Sequence, residues 1–373
     1  MQEKGWRSIL LGEFVTLQRG FDITKKEQEA GPYKVYSSSG PNSTHSKYQV
    51  KGPGVIIGRK GTLGTAFYSD EDFWPHDTTL WVKDFHGNDP KFAYHFLKSM
   101  RLEQYDCGAS NPTLNRNHIH LIPVSVPLVP IQQKIATILS TYDDLIENNF
   151  RRIKILEEMA QTLYREWFVK FRFPGHQKVK MVNSPLGKIP EGWGVKNLLD
   201  WVDVKYGKTL PKAMMEESAP YLVYGAAKVI GRYKEFNRER PTIITGCRGS
   251  CGQVTITRPK SFITNNSFFF DFDNKSFEYG YFLLGNRGLN DCIGGTAQPQ
   301  ITLESLSGIQ VIVPSSTTLI LFHELCEPFF RQMRVLSEKN DVLYKTRNLL
   351  LPKLISGELD VSELDITIPE ANA

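Results

Sequence analysis

Two hydrophobic periods alternate along this chain. From about Ile131 to Phe171 the period is helical: Ile135, Tyr142, Asn149, Leu156 and Leu163 recur every seven residues, and Leu139, Ile146, Ile153, Ala160 and Trp167 follow each by four. Spacings of four and three place both series on one face, with Gln133, Lys134, Arg151, Lys154, Glu157 and Gln161 mostly elsewhere. Pro127 and Pro130 precede the run, where a missing N–H costs least, and Pro174-Gly175 follows it. Roughly 40 residues at 1.5 Å each give a rod of about 60 Å, more than one small domain needs, so it is expected to join two. A second rod is expected from about Thr318 to Ser356, with Phe322, Phe329, Leu336, Leu343 and Leu350 in the same phase. Pro352 is expected to kink or end it, and Gly357 to stop it.

The other period is that of strands. Gly54-Val55-Ile56-Ile57-Gly58, Thr79-Leu80-Trp81-Val82, Pro241-Thr242-Ile243-Ile244-Thr245 and Ser267-Phe268-Phe269-Phe270 are short apolar runs between breakers. Ile119 to Val126 and Leu306 to Val313 are expected as strands leading into the rods. Pro90 to Met100 and Tyr279 to Leu284 are expected as short helices.

The two halves repeat. Gly5-Trp6 matches Gly192-Trp193, Gly20 matches Gly207, and Gly108-Ala109-Ser110-Asn111-Pro112-Thr113-Leu114 matches Gly295-Thr296-Ala297-Gln298-Pro299-Gln300-Ile301, all at an offset of about 187 residues. The glycine-rich turns after Ile57 and Ile244 pair at about 188, and the rods keep the frame. The chain therefore reads as a tandem duplication of an α+β kind: a mixed α/β globular unit over residues 1–130, a rod over 131–171, a linker over 172–193, a second globular unit over 194–317, a rod over 318–357, and an acidic, loosely held tail over 358–373. The apolar stripes are expected to bury each other, with the rods antiparallel in an intramolecular coiled coil and a pseudo-two-fold axis within the chain. Asn149 in the seam is either a register pin or a partly exposed seam residue.

Composition narrows the class. At 373 residues, 40% hydrophobic and 23% charged, the chain has the profile of two folded domains with linkers. Its start lacks a signal-peptide pattern, and no apolar run reaches membrane-spanning length. Five cysteines, an odd number, suggest reduced thiols and a cytoplasmic location. The net charge of +5 permits nucleic-acid binding without demanding it.

The usual catalytic patterns are missing. No P-loop appears, and Gly58, Gly61 and Gly64 are not spaced as a dinucleotide fingerprint. Cys247 and Cys251 have no zinc-spaced partner pair. His118 and His120 are expected to alternate along a strand. Asn111-Pro112-Thr113 lacks the second proline and the aromatic of an amino-methyltransferase motif. The chain reads as a binder. Loops in both copies carry groups that suit base edges and phosphates, Arg and Lys for guanine and phosphate, Asn and Gln for adenine. In the first copy these are Lys25, Lys26, Tyr36, Ser37, Ser38, Ser39, Arg59, Lys60, Thr62, Asn111, Thr113, Asn115, Arg116 and His118. In the second they are Lys208, Lys212, Tyr224, Lys228, Arg232, Lys234, Arg248, Ser250, Gln253, Gln298 and Gln300.

The duplication, the leader Pro127-Leu128-Val129-Pro130-Ile131-Gln132-Gln133-Lys134-Ile135, the stretches Phe171-Arg172-Phe173-Pro174-Gly175 and Ser184-Pro185-Leu186-Gly187-Lys188-Ile189-Pro190-Glu191-Gly192-Trp193, and the rod end Leu354-Ile355-Ser356-Gly357-Glu358-Leu359 together resemble the specificity subunit of type I restriction–modification systems. The second leader, Pro314-Ser315-Ser316-Thr317-Thr318-Leu319, departs from the Pro-x-x-Gln-Gln form. The resemblance implies two target-recognition domains reading the halves of a split DNA sequence, with the coiled coil fixing the gap. It implies two modification subunits that methylate adenine with S-adenosylmethionine, and restriction subunits that use ATP and magnesium. Those cofactors would belong to the partners, and this chain would be no enzyme. The competing readings are a methyltransferase or nuclease acting alone, and a coiled-coil adaptor without a DNA role.

Overall fold

The computed structural model describes residues 5–108, 111–295 and 298–368. Ala109, Ser110, Thr296 and Ala297 of the repeated loop lie outside the described residues, as do 1–4 and 369–373. The chain divides into two compact units, residues 1–148 with 339–373 and residues 149–338.

In the first unit, Thr16–Arg19, Thr79–Asp84, Gly54–Gly58 and Ala66–Ser69 hydrogen-bond in that order as an antiparallel sheet. Gly40–His45, Tyr33–Ser37 and Phe73–Pro75 form a second sheet, its last pair parallel. Gly54–Gly58 is buried along its whole length. Its alternating side chains divide between two cores: Val55 and Ile57 join Leu17, Leu80 and Phe92, whereas Ile56 joins Tyr36 and Phe73. Burial on both faces is why the strand reads as an unbroken apolar run. The helix Pro90–Ser99 starts where Asp89 accepts from Phe92 N at 2.7 Å, and it buries Phe92, Ala93, Phe96 and Leu97.

The second unit repeats this plan from its own residues. Asp203–Tyr206, Ser267–Asp271, Ile243–Gly246 and Val254–Ile256 form the larger sheet, and Lys228–Tyr233, Tyr221–Gly225 and Phe262–Ile263 the smaller. Ile243 and Ile244 again face different cores. The helix Phe277–Arg287 stands where Pro90–Ser99 does in the first.

The first rod spans Val129–Tyr164 and closes with a π-turn over Arg165–Val169, in which Lys170 N donates to Arg165 O. The second spans Ser316–Ser356. Within the first unit, Ile135 and Leu139 share a core with Leu350 and Leu354, Asp143 binds Arg347, and Asn340 Nδ2 donates to Ile146 O at 3.4 Å. Residue numbers rise along one rod as they fall along the other, so the pairing is antiparallel. Within the second unit Ala160, Tyr164 and Trp167 pack with Leu319, Phe322 and Cys326. Every heptad position named for the first rod is buried or half-buried, Asn149 included.

Four expectations need correction. The second rod passes through Pro352 to Ser356; in the last turn, a missing N–H removes only one helical bond. The stretch expected as linker is built structure: Met181–Ser184 and Gly187–Pro190 form a hairpin, and Phe173 and Trp193 stack at 5.2 Å in a buried cluster. The start of the acidic tail is anchored, because Val361 is buried in the first core and Lys134 donates to Ser362 O. Finally, the strands before the rods begin only at Pro123 and Gln310, with the short helices Arg116–Ile119 and Leu303–Ser307 ahead of them. His118 thus lies on a helix, and His120 is a packing residue whose Nε2 accepts from Leu17 N at 2.9 Å.

Candidate nucleic-acid interface

In the first unit four segments converge at one end of the larger sheet. The glycine turn Gly58–Gly64 closes on itself through Gly64 N to Gly58 O at 2.9 Å. Arg59 N and Lys60 N both donate to Thr78 O, which ties the turn to the segment His76–Thr79. Leu114 N donates to Arg59 O, and Lys60 pairs with Thr113, so the Asn111–Leu114 loop lies alongside. The hairpin tip at Ser38 completes the set. A Cβ on Gly58 would stand 2.1 Å from Thr62 O and 2.9 Å from Ser38 O, so only glycine lets the tip and the turn approach this closely.

The second unit builds the same set. Gly252 N donates to Gly246 O, Cys247 N to Asn266 O, and Ile301 N to Cys247 O, while Arg248 pairs with Gln300. A Cβ on Gly246 would stand 2.2 Å from Ser250 O and 3.1 Å from Ala226 Cα, where the hairpin tip passes. A cavity of about 440 Å3 is lined by Lys212, Ile230, Thr264, Asn265 and Asn266 beside these loops.

This convergence gathers Ser38, Arg59, Lys60, Thr62, Asn111 and Thr113 in one unit and Lys208, Lys228, Arg248, Ser250, Gln298 and Gln300 in the other. Lys60, Thr62, Asn111, Lys208, Lys228, Arg248, Gln298 and Gln300 are exposed. Other candidates do different work. The rings of Tyr36 and Tyr224 are buried: Tyr36 packs on Phe73 at 5.7 Å, and Tyr224 Oη accepts from Arg258 N at 3.1 Å. Both are packing residues, because a ring between two strands of a covered sheet turns inward. The Arg232 guanidinium donates to Ala219 O and Pro220 O and so holds its own sheet edge. Asn115 caps the helix that Arg116 begins, accepting from Asn117 N. Lys25 and Lys26 stand on an exposed turn.

Several residues at the convergence were missed from sequence. Asp77 binds Arg19, Lys60 and His76, and Arg59 Nη1 donates to Asp77 O at 3.3 Å. Asn265 and Asn266 hold the matching place in the second unit. The available signal was a polar step, His76-Asp77-Thr78 and Thr264-Asn265-Asn266, opening otherwise apolar strands at the same repeat offset. Asp106 is a further structural anchor. Its carboxylate accepts from Gly108 N and Thr113 N, and these two backbone donors hold it below the usual carboxylate range.

Chemically, the two surfaces offer hydrogen-bond donors, amides and positive charge. Among the described residues no group of three or more His, Cys, Asp or Glu is placed to hold a metal ion. No helix among them is long and apolar enough to cross a membrane.

Comparison with known proteins agrees with this geometry. The family model described as the type I restriction modification DNA specificity domain matches residues 3–158 and 190–318. The chain is 29% identical over 306 residues to the type I restriction enzyme MjaIX specificity subunit of Methanocaldococcus jannaschii, covering 74% of this chain and 70% of that protein. It is 23% identical over 356 residues to the HindI specificity subunit of Haemophilus influenzae, covering 72% and 77%. The crystal structure of a type I restriction–modification S subunit from M. genitalium shares the fold, with a TM-score of 0.66 at 19% identity over 95% of this chain and 97% of that one.

Proposed function

Because the chain belongs to the type I restriction–modification DNA specificity family, we propose that each of its two units reads one half of a bipartite duplex sequence while the rods set the spacer between the halves. The chain is the recognition component of such a system and not a catalyst. The observation that carries the reading is the recurrence, in both units, of four converging loops with basic and amide side chains on their exposed rims. Phosphate contacts from lysines and arginines supply affinity and register, and amide and guanidinium groups distinguish base edges.

Partners follow from the same reading. Two modification subunits dock along the rods, where Ile155 and Met159, four apart on the first rod, and Leu349 on the second expose apolar surface. Methyl transfer from S-adenosylmethionine, and translocation and cleavage with ATP and magnesium by restriction subunits, are the partners' chemistry. The assembly works in the cytoplasm.

The test is selection of the full chain, alone and with its modification partners, against duplexes carrying two randomised segments at variable separation. The expected result is enrichment of one split sequence at one spacing, with affinity falling steeply as salt rises. Equal affinity for all members of the library would refute the reading, and methyl transfer by the isolated chain would make it an enzyme instead.

A further inference from the structure

Asp77 gathers an unusual set of neighbours for a surface that meets a polyanion. Its Oδ2 lies 3.1 Å from Arg19 Nη2 and 3.8 Å from Lys60 Nζ, and its Oδ1 lies 2.9 Å from His76 Nδ1. The carboxylate is 16% exposed, whereas Arg19 and Lys60 are 48% and 45% exposed. The two cations come from different segments, Arg19 from the end of the strand Thr16–Arg19 and Lys60 from the glycine turn, and they meet on one oxygen. Asp22 accepts from the same Nη2 of Arg19 at 3.1 Å. All of these bonds to Arg19 fall on Nη2, the nitrogen common to both parallel donor pairs of a guanidinium, so a bidentate partner enters by displacing Asp22, whose side chain is 81% exposed, while Asp77 keeps its hold.

A surface that only attracted phosphate would gain nothing from an acid beneath its cations, since the acid repels phosphate. A carboxylate that already orders two long side chains does lower the ordering cost of a directed contact. Guanine presents two acceptors, N7 and O6, side by side in the major groove, and a guanidinium with two parallel donors matches them. We propose that Arg19, seconded by Lys60 and oriented by Asp77, reads a guanine in the half-site of the first unit. Asp77 is the positioning residue. This rests on the reading that the first unit contacts DNA. The second unit has Tyr206 where the first has Arg19 and Asn265 where it has Asp77, so it does not repeat this arrangement.

The experiment repeats the split-library selection with the full chain as wild type, Arg19→Ala, Arg19→Lys and Asp77→Asn. Wild type is expected to require guanine at one position of one half-site. Arg19→Ala should weaken that preference about 5- to 150-fold and leave the other half-site untouched, which also reports that the variant folds. Arg19→Lys should lose the preference while keeping the salt dependence, since it keeps the charge without the fork. Asp77→Asn should broaden the same position alone. A uniform loss of affinity with guanine still required would place Arg19 on a phosphate and overturn the assignment, as would a wild-type half-site without guanine. Failure of wild type to select any split sequence would instead remove the DNA reading itself, and the assignment with it.

Discussion

Gly58 stands where no side chain fits, with two carbonyl oxygens inside the space a Cβ would take. Gly58→Ala must therefore push the glycine turn away from Thr62 or from the hairpin tip. The expected cost is about 1–3 kcal/mol, by analogy with overpacked cores, visible as a lower denaturation midpoint. Selection of the first half-site should weaken while the second is retained; an unchanged midpoint would show that the tip yields freely. At this scale the charged and amide residues of the turns were legible, because glycine, Arg/Lys and Asn/Gln recur together in both copies. What was not legible is which way a ring points. Tyr36 and Ser38 stand two apart in sequence, yet one is buried on Phe73 and the other stands at the tip, since the hairpin bends between them. Asp77 escaped notice because a lone acid among basic loops looks like an ordinary surface charge until its three partners fold around it.

Between elements, the helix Pro90–Ser99 packs its buried His95 toward the first rod, with Nε2 3.8 Å from Asp143, which also binds Arg347. Burial pushes the His95 pKa down to about 4, and the Asp143 charge opposes the shift only in part. In the unfolded chain the ring titrates near 6.5. Above that pH the folded state carries no penalty. As pH falls from 6.5 toward 4, the unfolded chain takes up a proton that the folded ring resists, and stability drops by about 3 kcal/mol. Phe282 occupies the aligned position of the second copy, so His95→Phe should flatten the acid side of a plot of melting temperature against pH; an equally steep fall in the variant would exclude His95 as its source. Arg347→Ala should cost about 3 kcal/mol, because it leaves the Asp143 charge partly buried without its guanidinium; combined with Asp143→Ala the loss should be less than additive in denaturant unfolding. The rods were readable because a heptad accumulates over many turns. The hairpin Met181–Pro190 was not, since its two strands of four residues each are too short to show an alternation and its burial rests on Phe173, Ile189 and Trp193 meeting residues distant in sequence.

For the whole molecule, the boundary between the compact units cuts both rods, at residues 148–149 and 338–339. Each rod therefore belongs half to one reading unit and half to the other, and a change of rod length alters neither set of recognition loops. Seven residues inserted after Asn149, with seven more between Glu338 and Lys339, preserve the phase of the apolar seam in both rods. They add about 10 Å of helix, the length of about three base pairs. If the rods measure the gap, the selected sequence should keep both half-sites and lengthen its spacer by up to about three base pairs. An insertion in one rod alone breaks the pairing of Asp143 with Arg347 and of Ile146 with Asn340, or forces a bulge, and should lose stability before it changes the spacer. Selection from a library of variable separation, or mapping of methylated positions in cells that carry the lengthened chain, reads the outcome directly. A spacer that stays fixed while the lengthened rods remain folded would mean that the DNA, and not the protein, determines the distance between the half-sites.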